Sequence, residues 1–294
     1  MPLRDNILMK RIALVDIMGG LGNQLHQISM AKYLQNSGYK ILINTSWFKN
    51  HDFSDGTEKR ILEINIKDFG FKEASKRNLN YFEIIDKSRN MGLLKRIYIS
   101  KLNLIYKLNS GDEFNESKFY FINRFSGYWQ NPKYLLKDKD FFINALNKNN
   151  DFYTNPTQSS NNNRTLIHIR RGQDYIKWGE DLPKIYFKNA FNNLLDKEKN
   201  TSYDIFTDEI KYDTSDPLYK NADNIFNDTN EKSMTILSKM LDYKNFIISN
   251  SSLSFFAAYL GESENSNIFY PDPWFKSINH VTYKNTNWNQ VQYE

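Results

Sequence analysis

The stretch Leu166-Ile167-His168-Ile169-Arg170-Arg171 is an apolar run that ends in two adjacent arginines beside a histidine. It follows an Asn/Ser-rich break and precedes Gly172, a polar turn and Trp178. Two guanidiniums at the carboxyl end of a strand are costly to place in a core, but they suit the grip of a phosphate. Arginine's planar fork pairs two phosphate oxygens at once and stays charged at any working pH. Open α/β sheets collect ligands beyond the carboxyl ends of their strands. The run therefore predicts an α/β fold with Arg170 and Arg171 at the rim of a sheet. An arbitrary Arg-Arg pair is more often a surface feature. The apolar run, His168 and the strand ends that follow favour the phosphate reading.

The second half of the chain repeats a strand-helix rhythm. After strand Thr165 to Ile169 comes a helix from about Lys184 to Leu195, and strand Asp204-Ile205-Phe206 ends at Thr207-Asp208-Glu209. A helix near Met234 to Leu241 precedes strand Asn245 to Ser249, which ends in Asn250-Ser251-Ser252 before a helix through Leu260. Three successive polar strand ends outline the lip of a nucleotide pocket. Asp208 suits a base amino group or a ribose hydroxyl. Ser251 and Ser252 would let a phosphate approach free N–H groups at a positive helix end. As preferred N-caps, Asn250-Ser251-Ser252 have an equally good local explanation, and Asp208 also reads as a turn residue.

The first half opens with strand Arg11 to Ile17 and then Gly19-Gly20-Leu21-Gly22-Asn23-Gln24. A helix through Gln27 to Leu34 and a second strand, Lys40 to Asn44, complete a βαβ unit of about 30 residues. The glycine loop is not G-x-G-x-x-G, and Asn44-Thr45-Ser46-Trp47 stands where an acidic ribose-binding residue would be needed. NAD is thus the weaker ligand. A tight loop aiming Asn23 and Gln24 into a cleft is the stronger reading. Glu73 to Lys118 is expected to be helical, Phe119 to Ile122 a strand, and Gly127-Tyr128-Trp129-Gln130 a turn beyond it. The polar stretch Asn147 to Arg164 divides the chain into domains 1–150 and 151–294.

At 294 residues, with 40% hydrophobic and 25% charged residues, the chain can build a substantial core. A net charge of +5 fits an anionic ligand or loose contact with an anionic membrane, and falls short of a nucleic-acid binder's basic stripes. The absence of cysteine excludes disulfides, thiolate metal sites and a cysteine nucleophile, and four scattered histidines disfavour a histidine metal site. Neither a signal peptide nor a membrane span stands out, so the expected location is cytoplasmic, with any membrane contact peripheral.

The glycine loop Gly19 to Leu25, together with His168-Ile169-Arg170-Arg171-Gly172, resembles the bacterial α-1,2-fucosyltransferases of glycosyltransferase family 11. The resemblance runs nearly end to end. It includes Gly127-Tyr128-Trp129-Gln130, Leu182-Pro183 through Ala190, Phe206-Thr207-Asp208-Glu209, Ile247 to Leu260, and Pro271 with Trp274-Phe275. The chain departs from the family pattern at His26, where phenylalanine is usual, and at Gln173, the usual aspartate place, with Asp174 one position later. An acidic residue of the helix before the Asn-Ser-Ser block has no counterpart near Ile236.

The resemblance implies a GT-B architecture of two Rossmann-like domains facing across a cleft. It implies GDP-fucose as donor, inversion at the anomeric carbon, no metal and no other cofactor. The implied acceptor is a galactoside-containing oligosaccharide or lipid-linked glycan of an O-antigen or capsule. It implies Arg170 and Asn23 as catalytic residues, with Gly20, Gly22, His168, Arg171, Asp208, Asn250, Ser251 and Ser252 around the donor. Asp174, Glu180 and Asp181 are candidates for the base. Two readings remain beside it: a dinucleotide-binding oxidoreductase, and a non-catalytic carbohydrate- or nucleic-acid-binding protein. Retention of GDP, of NAD or of neither separates the three.

Overall fold

The computed structural model describes residues 11–50, 59–88, 106–110, 122–153, 163–199, 201–227, 231–276 and 287–293. Short β-branched and aromatic runs form two parallel sheets. The first holds β1 (Ile12–Asp16), β2 (Lys40–Asn44), β3 (Tyr106–Ser110) and β4 (Ile122–Ser126), in the order β2-β1-β4-β3. The second holds β5 (Thr165–Ile169), β6 (Tyr203–Thr207), β7 (Asn224–Asn227), β8 (Asn245–Ile247), β9 (Ile268–Asp272) and β10 (Asn289–Gln292). Its order, β10-β9-β8-β5-β6-β7, is that of a doubly wound Rossmann sheet, with the reversal between β5 and β8.

The helices are α1 (Leu21–Asn36), α2 (Trp47–Asn50), α3 (Lys76–Ser88), α4 (Lys139–Leu146) and α5 (Gln173–Trp178), followed by α6 (Lys184–Lys197), α7 (Pro217–Lys220), α8 (Ser233–Met240) and α9 (Ser252–Gly261). The central strands β5, β6 and β8 are buried throughout, as a parallel sheet covered on both faces requires. Successive side chains of β5 face opposite cores. Leu166 joins one apolar cluster, whereas Ile167 and Ile169 join the other. The Leu166 cluster runs through α4, α8, α9 and α1 into the first sheet, so one core joins the two α/β units in the GT-B arrangement.

The middle of the chain departs from expectation. Within the stretch expected to be helical, α3 is helical but Tyr106–Ser110 is a strand, paired in parallel with β4. Of the strand expected at Phe119 to Ile122, residues 119–121 lie outside the described residues, and β4 runs over Ile122–Ser126. Of the expected linker, residues 154–162 also lie outside. The part next to α4 is packed, with Phe152 buried in the shared core. Tyr106–Ser110 owes its strand to a pairing partner far along the chain, which local propensity does not see.

His26, on α1, is buried between the rings of Phe255 and Phe256 of α9, with centroids 5.1 and 4.8 Å away. Burial pushes its pKa down to about 3. The folded state therefore holds this imidazole neutral while the unfolded chain protonates it below about 6.5. Its contribution is complete above the unfolded pKa and falls away as the pH drops toward the folded one. Urea midpoints should decline below about pH 6.5. His26→Phe should flatten part of that decline and be at least as stable at neutral pH. An acid limb unchanged in His26→Phe would contradict the assignment.

Candidate active site

Open α/β sheets bind ligands at the carboxyl ends of strands where strand order reverses; β5 and β8 are adjacent at such a point in one sheet, and β1 and β4 are the central neighbours of the other. In the first sheet these ends carry Gly19 and Gly20 after β1, and Gly127 to Gln130 after β4. In the second they carry Arg170 and Arg171 after β5, and Ser249 to Ser251 after β8. The two sheet ends are brought together at Gly22. A Cβ there would lie 2.3 Å from the carbonyl carbon of Ser252 and 2.5 Å from the nitrogen of Leu253. Only glycine lets the first turns of α1 and α9 touch backbone to backbone. Neither helix start receives a side-chain cap bond, at Gly20 or at Ser251. Two positive helix ends thus meet at one place.

Arg170 reaches this place from β5. Its Nη2 donates to Asp174 Oδ2 at 2.8 Å, its Nη1 lies 2.5 Å from Asp208 Oδ2, and its guanidinium stands 5.0 Å above the Tyr175 ring. Burial works against the charge, but Asp208 and Asp174 outweigh it and raise its pKa further. Asp208 is held above the usual carboxylate range by burial, with Arg170 and the Arg171 N–H opposing. Gly172 makes this packing feasible, because a Cβ there would lie 2.5 Å from Asp208 Oδ2 and 2.9 Å from Asp174 Oδ1. From the first unit, Asn23 on α1 accepts a hydrogen bond from Gln130 Nε2 at 2.7 Å.

Gly20, Gly22, Asn23, Arg170, Asp174, Ser251 and Ser252 therefore gather around the meeting helix ends. Other residues singled out in the sequence are engaged elsewhere. His168 lies buried inside β5, its Nδ1 2.8 Å from Ser249 Oγ, and burial followed by the charge of Arg170 pushes its pKa to about 3. Arg171 faces the other way, where its backbone N–H donates to Asp208 Oδ1 at 2.6 Å and its Nη2 to the Leu182 carbonyl at 2.8 Å. Asp208 is thus a brace for both arginines. Asn250 is fully buried and donates to the Glu180 carbonyl at 2.8 Å. Glu180, also buried, accepts from the Lys276 N–H at 2.8 Å, while the Asp181 carbonyl accepts from Lys276 Nζ.

Gln24 corrects the sequence reading. It does not point into the cleft but is fully buried. Its Nε2 donates to the carbonyls of Gly19 and Ile61, and its Oε1 accepts from the Glu63 N–H at 3.0 Å. In doing so it delivers a residue that the sequence reading missed. Arg60 places Nη2 3.6 Å from Asp174 Oδ2 and lies above Gly20. It sits in a loop with no motif around it, so no local signal pointed to it. Among the described residues, no three His, Asp or Glu side chains are grouped to hold a metal ion, and no helix is long and apolar enough to cross a membrane.

Residues 71–292 match the family model described as Glycosyl transferase family 11. The chain belongs to this family. It is a glycosyltransferase, the class that the resemblance implied. It is similar to an Alpha-1,2-colitosyltransferase of Escherichia coli, 26% identical over 289 residues that cover 90% of this chain and 93% of the other. It is equally similar to the O-antigen biosynthesis glycosyltransferase WbnK of Escherichia coli, 26% identical over 294 residues, with 90% and 95% covered. Among solved structures, the fucosyltransferase NodZ from Bradyrhizobium overlaps 84% of this chain and 92% of its own at 13% identity and a TM-score of 0.41.

In this glycosyltransferase the close approach at Gly22 fixes the two helix starts relative to each other. Gly22→Ala should force backbone apart and cost about 1–3 kcal/mol, the usual penalty of overpacking. Urea unfolding measures it, and wild-type stability in the variant would contradict the contact.

Proposed function

We propose that the chain is an inverting, metal-independent α-1,2-fucosyltransferase. It moves fucose from GDP-fucose to a galactosyl hydroxyl of an oligosaccharide or lipid-linked glycan in O-antigen or capsule synthesis. It works in the cytoplasm, with peripheral contact at the inner face of the membrane. Residues 1–150 would form the acceptor-side domain and 151–294 the donor domain. The observation that carries this reading is Arg170, set at the β5/β8 reversal beside the touching starts of α1 and α9.

Transfer from a nucleotide sugar must stabilise a departing diphosphate as negative charge grows on it. Arg170 supplies a guanidinium and the two helix starts supply N–H donors, all fixed before the reaction begins. Asp208 and Gly172 hold Arg170 at the rim, and Asn23 approaches from the opposite unit with Gln130 behind it. The acceptor hydroxyl must lose its proton as it attacks. Of the three acids considered for that role, Asp174 is the one beside the arginines, whereas Glu180 already serves the Lys276 N–H. Asp174→Asn should therefore slow turnover of bound donor, and full turnover in that variant would exclude it as the base.

The similarity to a colitosyltransferase favours a second reading, in which the sugar carried by the donor is colitose. A donor screen with a galactoside acceptor separates the two. Arg170→Ala should lose on the order of a hundredfold or more in turnover while its circular dichroism stays unchanged, as expected for one preorganised charge donor. Near-normal turnover in that variant would sink the phosphate role.

A further inference from the structure

We propose that Arg60 is a second phosphate-binding arginine, delivered from the first unit, and that Asp174 occupies the phosphate's seat until the donor arrives. This rests on the reading of Arg170 as a phosphate ligand. One carboxylate oxygen, Asp174 Oδ2, lies 2.8 Å from Arg170 Nη2 and 3.6 Å from Arg60 Nη2. The two arginines come from different units and converge on the same atom. Arg60 Nη1 would lie 3.9 Å from a Cβ on Gly20, so its guanidinium stands over the start of α1, beside the start of α9.

The placement of Arg60 is built rather than incidental. Gln24, itself fully buried in α1, holds the Ile61 carbonyl at 2.8 Å and the Glu63 N–H at 3.0 Å, which fixes the loop just beyond Arg60. Glu63 reaches the second unit through the Ser233 hydroxyl at the start of α8, and it feels the charge of Arg60. Tyr128, which packs against the Gly19 position, feels that charge as well. Arg60 therefore belongs to the seam between the units rather than to open solvent.

Two forked cations converging on one anionic oxygen, one of them over the start of α1, form a seat for an anion richer in oxygens than a carboxylate. A nucleoside diphosphate fits that description. It carries more charge than Asp174 and can satisfy both guanidiniums at once. Its arrival would release Asp174 from the arginines at the moment an acceptor needs a nearby carboxylate.

The test is calorimetric titration of inorganic pyrophosphate and of GDP into the full chain, with EDTA present. It compares wild type with Arg60→Gln, Arg60→Lys, Arg170→Gln and Asp174→Asn, each checked for a native circular dichroism spectrum at the titration temperature. Arg60→Gln should weaken both ligands about tenfold, with Arg60→Lys in between, as the loss of a forked charge-assisted contact predicts. Asp174→Asn should bind both more tightly. Wild-type affinity in Arg60→Gln alongside weakened Arg170→Gln would overturn the role of Arg60 and leave that of Arg170 standing. No loss in either variant would sink the Arg170 reading and this inference together. Equal or weaker binding in Asp174→Asn would show that the carboxylate does not hold the seat.

Discussion

The backbone contact between the first turns of α1 and α9, permitted by Gly22, is the constraint on which the rest of the molecule depends. Parallel sheets must bury both faces, so each unit surrounds its strands with helices. The two units could then have met through any pair of them. By meeting at the N-terminal ends of α1 and α9, they put uncapped N–H groups and two positive helix ends beside both strand reversals. The apolar cluster that includes Leu25, Ile28, Phe255, Phe256 and Leu166 holds this meeting in place, so core packing and site geometry share the same residues.

Such an arrangement concentrates positive charge, and the structure balances it locally. Asp208 and Asp174 surround Arg170, and Asp208 also takes the Arg171 N–H. Removing one member of a partly buried ionic group leaves the others uncompensated, which is the expensive outcome. In the proposed role, an incoming phosphate would exchange one anion for another. Paired with Asp174 and Asp208, the strand end can carry guanidiniums that would otherwise be costly to bury.

The features carried by local pattern were legible in the sequence. The strand that ends in Arg170 and Arg171, the Gly19-Gly20-Leu21-Gly22 loop and the helix after Asn250-Ser251-Ser252 all lie where the residues suggested. What was not legible depends on partners far along the chain. Tyr106–Ser110 is a strand because β4 offers it an edge. Gln24 turns inward because the loop after Arg60 offers it a carbonyl and an N–H, and those bonds fix the chain beside Arg60. His168 carries an expected polar ring, yet the alternation of β5 directs it toward Ser249 inside the sheet. Residue type announces chemistry, but long-range packing decides whether the group faces the ligand or the core.

The most direct test of the account is a crystal structure of the protein with GDP, grown in the presence of EDTA. The β-phosphate should lie between the starts of α1 and α9, bonded to Arg170, with the Arg170–Asp174 contact broken. A nucleotide bound elsewhere, with Arg170 still paired to Asp174 and Asp208, would contradict it.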